Sequence, residues 1–92
     1  MADVVVALPR PLRRFAGGLA ELAVGAEDVR AALRAITGNH PDLARHLMDD
    51  DGGVRRSVRV YLNGDDLRSP EALTTALAPG DRLEIVLALA GG

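Results

Sequence analysis

The last six residues, Leu87-Ala88-Leu89-Ala90-Gly91-Gly92, are where this sequence comes closest to chemistry. A C-terminal carboxylate has an ordinary pKa of about 3.3–3.7 and is ionised at neutral pH. It is a poor electrophile, but it can attack the α-phosphate of ATP. The carboxyl oxygen then bonds to phosphorus, pyrophosphate leaves, and the chain ends in an acyl adenylate. A sulfur nucleophile can displace AMP and leave a terminal thiocarboxylate on an intact protein. Such a tail must enter a narrow site on another protein. Gly91 and Gly92 carry no Cβ and give the thinnest strand available, and Ala88 and Ala90 keep the approach slim. Gly92 is therefore the candidate reacting residue, with Gly91 and Ala90 threading the tail.

The rest of the chain lacks the means to carry out that activation. There is no G-x-x-x-x-G-K-[ST] loop, and all 11 basic residues are arginine, so no lysine exists to complete one or to trap an activated acyl group. ATP and its Mg²⁺ must come with an activating partner, and no cofactor is expected on this chain. The absence of cysteine removes disulfides, thiolate metal sites and thiol catalysis. His40 and His46 have no third nitrogen or sulfur ligand, and no metal site is expected. Asp49 to Gly53, "DDDGG", lacks the spacing and the bidentate Glu of a calcium loop and reads as a solvated turn. Ser57 and Ser69 stand in no recognisable triad. Arg10, Arg13 and Arg14 form a basic knot that reads as a solvated hairpin loop.

Composition narrows the class further. Ninety-two residues with 48% hydrophobic and 26% charged side chains make one soluble domain with a modest core. With one Phe, one Tyr and no Trp, that core must be built from Leu, Val, Ile and Ala. A net charge of −2 with interspersed arginines presents no basic face, and stacking aromatics are missing, so nucleic acid is not an expected partner. No apolar run approaches the roughly 20 residues of a membrane span, and no signal peptide is legible. The expected location is the cytoplasm.

The elements that would position the tail follow from periodicity. Asp3 to Leu8, "DVVVAL", reads as a strand ended by Pro9 and Pro11. After a loop turning at Gly17-Gly18, Leu19 to Val24 resumes alternation, with Leu22 and Val24 on one face. Val29, Ala32, Leu33 and Ile36 form the stripe of an amphipathic helix, with Glu27 and Asp28 in its first turn and Gly38 as its end. "PDLARHLM" offers a second helical turn with Leu43 and Leu47 inward. "VRRSVRVYLN" alternates, placing Val58, Val60 and Leu62 on one face and Arg59 and Tyr61 on the other, and Asn63-Gly64 is a turn. Ser69 reads as an N-cap with Pro70 at the first helical position. Arg82 to Leu87 is the last strand, with Leu83, Ile85 and Leu87 inward and Glu84 and Val86 outward. The order is ββαββ with short helical turns: an α+β, β-grasp (ubiquitin-like) arrangement in which one main helix lies across a mixed sheet.

With that pattern in place, the sequence resembles the ubiquitin-like sulfur carriers of the ThiS/MoaD type over essentially its whole length. The likeness is carried by "LMD" at Leu47 to Asp49, "VYLNGDDLR" at Val60 to Arg68, "LTTAL" at Leu73 to Leu77, Gly80-Asp81 and the terminal "ALAGG". It is strongest toward the branch that serves cysteine biosynthesis in actinobacteria. Many molybdopterin-type members carry a proline just before "AGG", and Leu87 to Leu89 has none.

The resemblance implies a β-grasp domain over residues 1–87, followed by a flexible tail, 88–92. It implies a protein co-substrate rather than an enzyme. The partners would be a ubiquitin-activating-enzyme-like (E1-like) adenylating protein and a sulfur-accepting synthase, which in the cysteine branch depends on pyridoxal phosphate. Tyr61 and Val86 would then lie on neighbouring strands as an apolar patch near the tail, flanked by Arg59, and serve as the partner interface. Two other readings stand beside this one. One is the small subunit of a molybdopterin synthase, or a carrier for a natural-product pathway; the other is an interaction module with an idle tail.

Overall fold

The β-branched run after Met1 forms the first strand, β1 (Ala2–Ala7), and every second residue of it, Ala2, Val4 and Val6, is buried. The computed structural model describes residues 1–88. β1 pairs antiparallel with β2 (Glu21–Ala26), in a register that sets Val4 opposite Val24 and Ala7 opposite Glu21. On its other side β1 runs parallel to the last strand, β5 (Arg82–Leu87). β5 also pairs antiparallel with β3 (Val58–Leu62), which leads through a tight turn into the two-residue β4 (Asp65–Asp66). The strand order is β2-β1-β5-β3-β4, a mixed sheet with the first and last strands at its centre. This is the expected β-grasp arrangement.

The helices cover one face. In α2 (Val29–Asn39) the residues Val29, Ala32, Leu33 and Ile36 are all buried, as the stripe requires. They pack on Val4, Val6, Leu83 and Ile85 in one continuous core that also takes Leu43 and Leu47 from α3 (Pro41–Leu47). The region expected to be a helical turn is thus a seven-residue helix, and its two leucines point inward as the spacing indicates.

Four local details differ from the sequence reading. The connection after β1 is not an open loop. It forms α1 (Arg10–Arg13) and a 3₁₀ turn (Arg14–Ala16), which bury Leu12 and Ala16. Pro11 starts this helix, since a proline near the first helical position costs no hydrogen bond. Gly17, at φ 66°, ends it. Asp28 is the N-cap of α2 rather than part of its first turn: its carboxylate accepts from the Ala31 N–H at 2.8 Å. Gly38 lies inside α2, which runs on to Asn39. Pro41 decides the end instead, because the residue before a proline is driven out of the helical region and His40 sits at φ −134°, ψ 80°. Finally, the alternating stretch begins at Val58. Before it, Val54 bridges back to Met48 and the Arg55 N–H donates to the Leu47 carbonyl.

Ser69 occupies the N-cap position of the 3₁₀ turn Pro70–Thr74 but makes no side-chain cap bond. At the β3–β4 turn both Asn63 (φ 50°) and Gly64 (φ 92°) have positive φ, the geometry that Asn-Gly favours in tight hairpins. The Asn63 amide also donates to Asp81 and its carbonyl accepts from the Arg82 N–H, tying this turn to the start of β5. Asp81 accepts from the Ala78 N–H as well, and these bonds hold its carboxyl below the ordinary value.

Candidate functional site

The helices leave the other face of the sheet open, and alternation decides what stands there. On β3 the outward residues are Arg59 and Tyr61; on β5 they are Arg82, Glu84 and Val86. The antiparallel register sets Arg59 directly opposite Val86 and Tyr61 opposite Glu84. Tyr61 and Val86 are therefore diagonal neighbours on one face, a relation that brings side chains within about 7–8 Å. Val86 is 37% exposed, and among the described residues only Met1 and Leu19 are large apolar side chains left more open. The structure brings Tyr61, Val86 and Arg59 together as the sequence places them.

Charge surrounds this patch. The Arg59 guanidinium donates to Asp66 at 3.1 Å, and Arg68 donates to the same carboxylate oxygen at 2.8 Å. The hydrogen bond from Arg68, reinforced by both positive charges, holds the Asp66 carboxyl below its ordinary value. Asp66 and Arg68 were not picked out from the sequence. Their signal is the Asp-x-Arg spacing after the Asn-Gly turn, but only the β3–β4 pairing brings Arg59 to them. On the far side of the patch, Arg82 bridges to Glu21 at 2.8 Å and approaches Glu84 at 3.8 Å.

The path of the chain toward its end is fixed by one backbone bond. The Ala88 N–H donates to the Ser57 carbonyl at 2.7 Å, so the β3–β5 ladder carries the chain one residue past β5. Val86 stands two residues before that point. Ala90, Gly91 and Gly92, the residues expected to thread and react, lie outside the described residues, as does the expected tail beyond Ala88.

The remaining candidates find structural places. His46 stacks on Phe15 with ring centroids 4.1 Å apart, and the Arg14 guanidinium lies 5.3 Å from the Phe15 centroid. Arg13 donates through Nε to the Leu8 carbonyl. Asp49 closes the "DDDGG" turn by accepting from the Gly53 N–H at 2.9 Å. Hydrogen bonding to Asp49 and to the Gly53 N–H holds the Asp51 carboxyl below its ordinary value. Among the described residues no helix is long and apolar enough to cross a membrane.

Three comparisons bear on this site. The ThiS family pattern matches residues 6–92. The sulfur carrier protein CysO of Mycobacterium tuberculosis is 33% identical over 92 residues, covering 98% of this chain and 99% of its own. Among solved structures, the Amycolatopsis orientalis BexX/CysO complex contains a chain matching at a TM-score of 0.85 and 28% identity, over 97% of this chain and 99% of that one. Mycobacterium tuberculosis CysO matches at 0.83 and 31%, over 94% and 99%. The small archaeal modifier SAMP1 of Haloferax volcanii matches at 0.84 and 30%, over 99% and 100%.

Proposed function

The chain belongs to the ThiS family, and on that premise we propose that it is a sulfur carrier whose Gly92 carboxylate is adenylated by a partner and converted to a thiocarboxylate. The likeness to CysO over nearly the whole chain supports the carrier role. The observation that carries the reading is the junction at Ala88: the strand is locked to Ser57 up to the residue that precedes Leu-Ala-Gly-Gly in the sequence, and Val86, two residues earlier, stands on the open face. The strand fixes the position of Ala88, and the glycines that follow in the sequence would offer a partner almost no side chain.

In this reading the E1-like partner supplies ATP and Mg²⁺, and this chain supplies the acyl group and the docking surface. Tyr61 and Val86 provide apolar contact, and Arg59, held by Asp66, borders it. A small patch rimmed by paired charges is the pattern of a specific interface. That a CysO chain of Amycolatopsis orientalis occurs in a complex with BexX supports a carrier that works by docking. The sulfur acceptor we propose is a synthase of cysteine biosynthesis, on the strength of the CysO likeness. The carrier itself is a co-substrate.

The test is intact-mass spectrometry of the full chain incubated with ATP, Mg²⁺, sulfide and a cognate adenylating enzyme. One oxygen should be exchanged for sulfur, at the terminal carboxyl. Absence of that exchange with every cognate adenylating enzyme tried would refute the reading.

A further inference from the structure

A groove of about 580 Å³ runs along the β3 edge of the sheet and shares Arg59, Asp66 and Arg68 with the border of the open face. Its floor is apolar: Val58 and Val60 are buried, and Leu67 and Leu73 lie half-buried beside them. Its rim carries Arg30, Arg55, Arg56, Arg59 and Arg68 against Asp49, Asp51 and Asp66. In a chain of net charge −2 this is a local excess of positive charge. The aspartates are engaged in part. Asp66 is bound by Arg59 and Arg68, and Asp49 and Asp51 accept from the Gly53 N–H. Nε of Arg30 is buried without a hydrogen-bond partner, as is Oδ1 of Asp66, so the groove offers a bound backbone one donor and one acceptor. A buried guanidinium N–H left unpaired is costly, and a bound acceptor removes that cost.

The strand edge at this groove is open as well. The bonds from Ala88 to Ser57 and from Asn63 to Arg82 fix the phase of the β3–β5 ladder. Residues 57, 59, 61 and 63 turn their backbone groups toward β5, so Val58, Val60 and Leu62 turn theirs away from it. β4 pairs only with Tyr61 and Leu62. The Val60 carbonyl accepts from the Leu67 N–H, and the Val58 N–H donates to the Arg55 carbonyl. Among the described residues this leaves the Val58 carbonyl and the Val60 N–H without a backbone partner. An acceptor and a donor flanking Arg59 in this way are the two halves of one parallel β-bridge, in which a single residue of an added strand donates to Val58 and accepts from Val60.

We propose that this groove docks an extended acidic segment of a partner protein, laid parallel to β3. Its backbone would complete the open edge, the usual fate of an unpaired strand. Its apolar side chains would meet Val58, Val60, Leu67 and Leu73. Its carboxylates would meet Arg30, Arg55 and Arg56. The proposal does not rest on the reading of Gly92, and its groove adjoins the open face only through Arg59, Asp66 and Arg68.

The experiment selects displayed random octapeptides on the immobilised full chain at low salt, then maps the enriched peptides by ¹⁵N–¹H amide spectra. Enriched peptides should combine Asp or Glu with Val, Leu or Ile. They should perturb Val58 to Val60 most and slow exchange of the Val60 amide. Their affinity should fall about tenfold in Arg30→Gln and in the exposed control Arg56→Gln, and again as salt rises past the range where surface charges are screened. The Arg56 variant keeps the test alive should Arg30→Gln disturb the fold. Four results would overturn the proposal: no enrichment, enrichment of basic peptides, a footprint on Tyr61 and Val86, or affinities unchanged in both variants. Inorganic phosphate that reproduces the arginine shifts, while no peptide slows Val60, would leave only an anion site and also overturn it.

Discussion

The Ala88 N–H donates to the Ser57 carbonyl at 2.7 Å, which extends the β3–β5 ladder one residue beyond the pair Val58–Leu87. Ala88 is therefore held as part of the sheet. On the proposed function, a partner that grips the outward residues of β3 and β5 would meet Ala88 at a fixed position, which would lower the cost of ordering the complex.

Replacement of Gly91 by Val should abolish sulfur loading while leaving the fold intact. On the proposed function the end of the chain enters a narrow site, where a branched Cβ would clash, and a misplacement of about 1 Å can cost about 100-fold in rate. Intact-mass kinetics with the adenylating partner should show at least that loss. The thermal midpoint of the Gly91→Val protein should match that of the parent.

Val86→Asp should weaken binding to the adenylating partner by about 1–2 kcal/mol, the effect of losing a central apolar contact. Because Val86 points away from the core, its unfolding free energy should change by no more than about 0.5 kcal/mol. Titration calorimetry and urea unfolding of the same protein separate the two effects. A large loss of stability with unchanged binding would contradict the assignment of this face.

Leu33→Ala should act in the opposite sense. Leu33 is 1% exposed in the centre of α2, and emptying such a site costs about 2–5 kcal/mol. Urea melts should show the drop. Loading by the adenylating partner should stay normal at temperatures where the variant remains folded.

Asp28→Ala should cost about 0.5–2 kcal/mol, since it removes the carboxylate that receives the Ala31 N–H at the start of α2. Asp28→Ser, which keeps an acceptor, should recover most of that loss in the same unfolding assay.

Asp66 should contribute to acid sensitivity. Arg68 first, then the charge of Arg59, lowers its folded pKa below the ordinary value of 3.8. A carboxyl depressed on folding stabilises the protein above its unfolded pKa, and that contribution disappears as pH falls through the folded pKa. Asp66→Asn should therefore be less stable than the parent at neutral pH, and the two unfolding curves should converge at pH values below 3.8. Denaturant melts across that range check the sign; a gap that widens on acidification would refute it.

Much of the architecture follows from local pattern. The stripe Val29, Ala32, Leu33, Ile36 could face only a core, and the alternation of Val58, Val60, Leu83 and Ile85 against Arg59, Tyr61, Glu84 and Val86 fixed which face of each strand is open. The helical first connection is not legible in the sequence, because its buried residues, Leu12 and Ala16, are too few to show a period and the two nearby prolines are strand and helix breakers in most other positions. The end of α2 falls at Asn39 and not at Gly38 because a glycine signals a helix end only weakly, whereas the proline at 41 acts through sterics on the residue before it.

By itself, the order of residues determined the composition of the core, the faces of the strands and the slender glycine end, because periods of 2.0 and 3.6 and the lack of a Cβ are properties of neighbouring residues. The tertiary structure alone decided that β1 runs beside β5, that Asp66 receives both Arg59 and Arg68, and that Arg30 looks into a groove with an open strand edge. Those relations join residues far apart in the chain. They depend on strand register and on which carboxylate a guanidinium can reach, and short-range pattern carries no information on either.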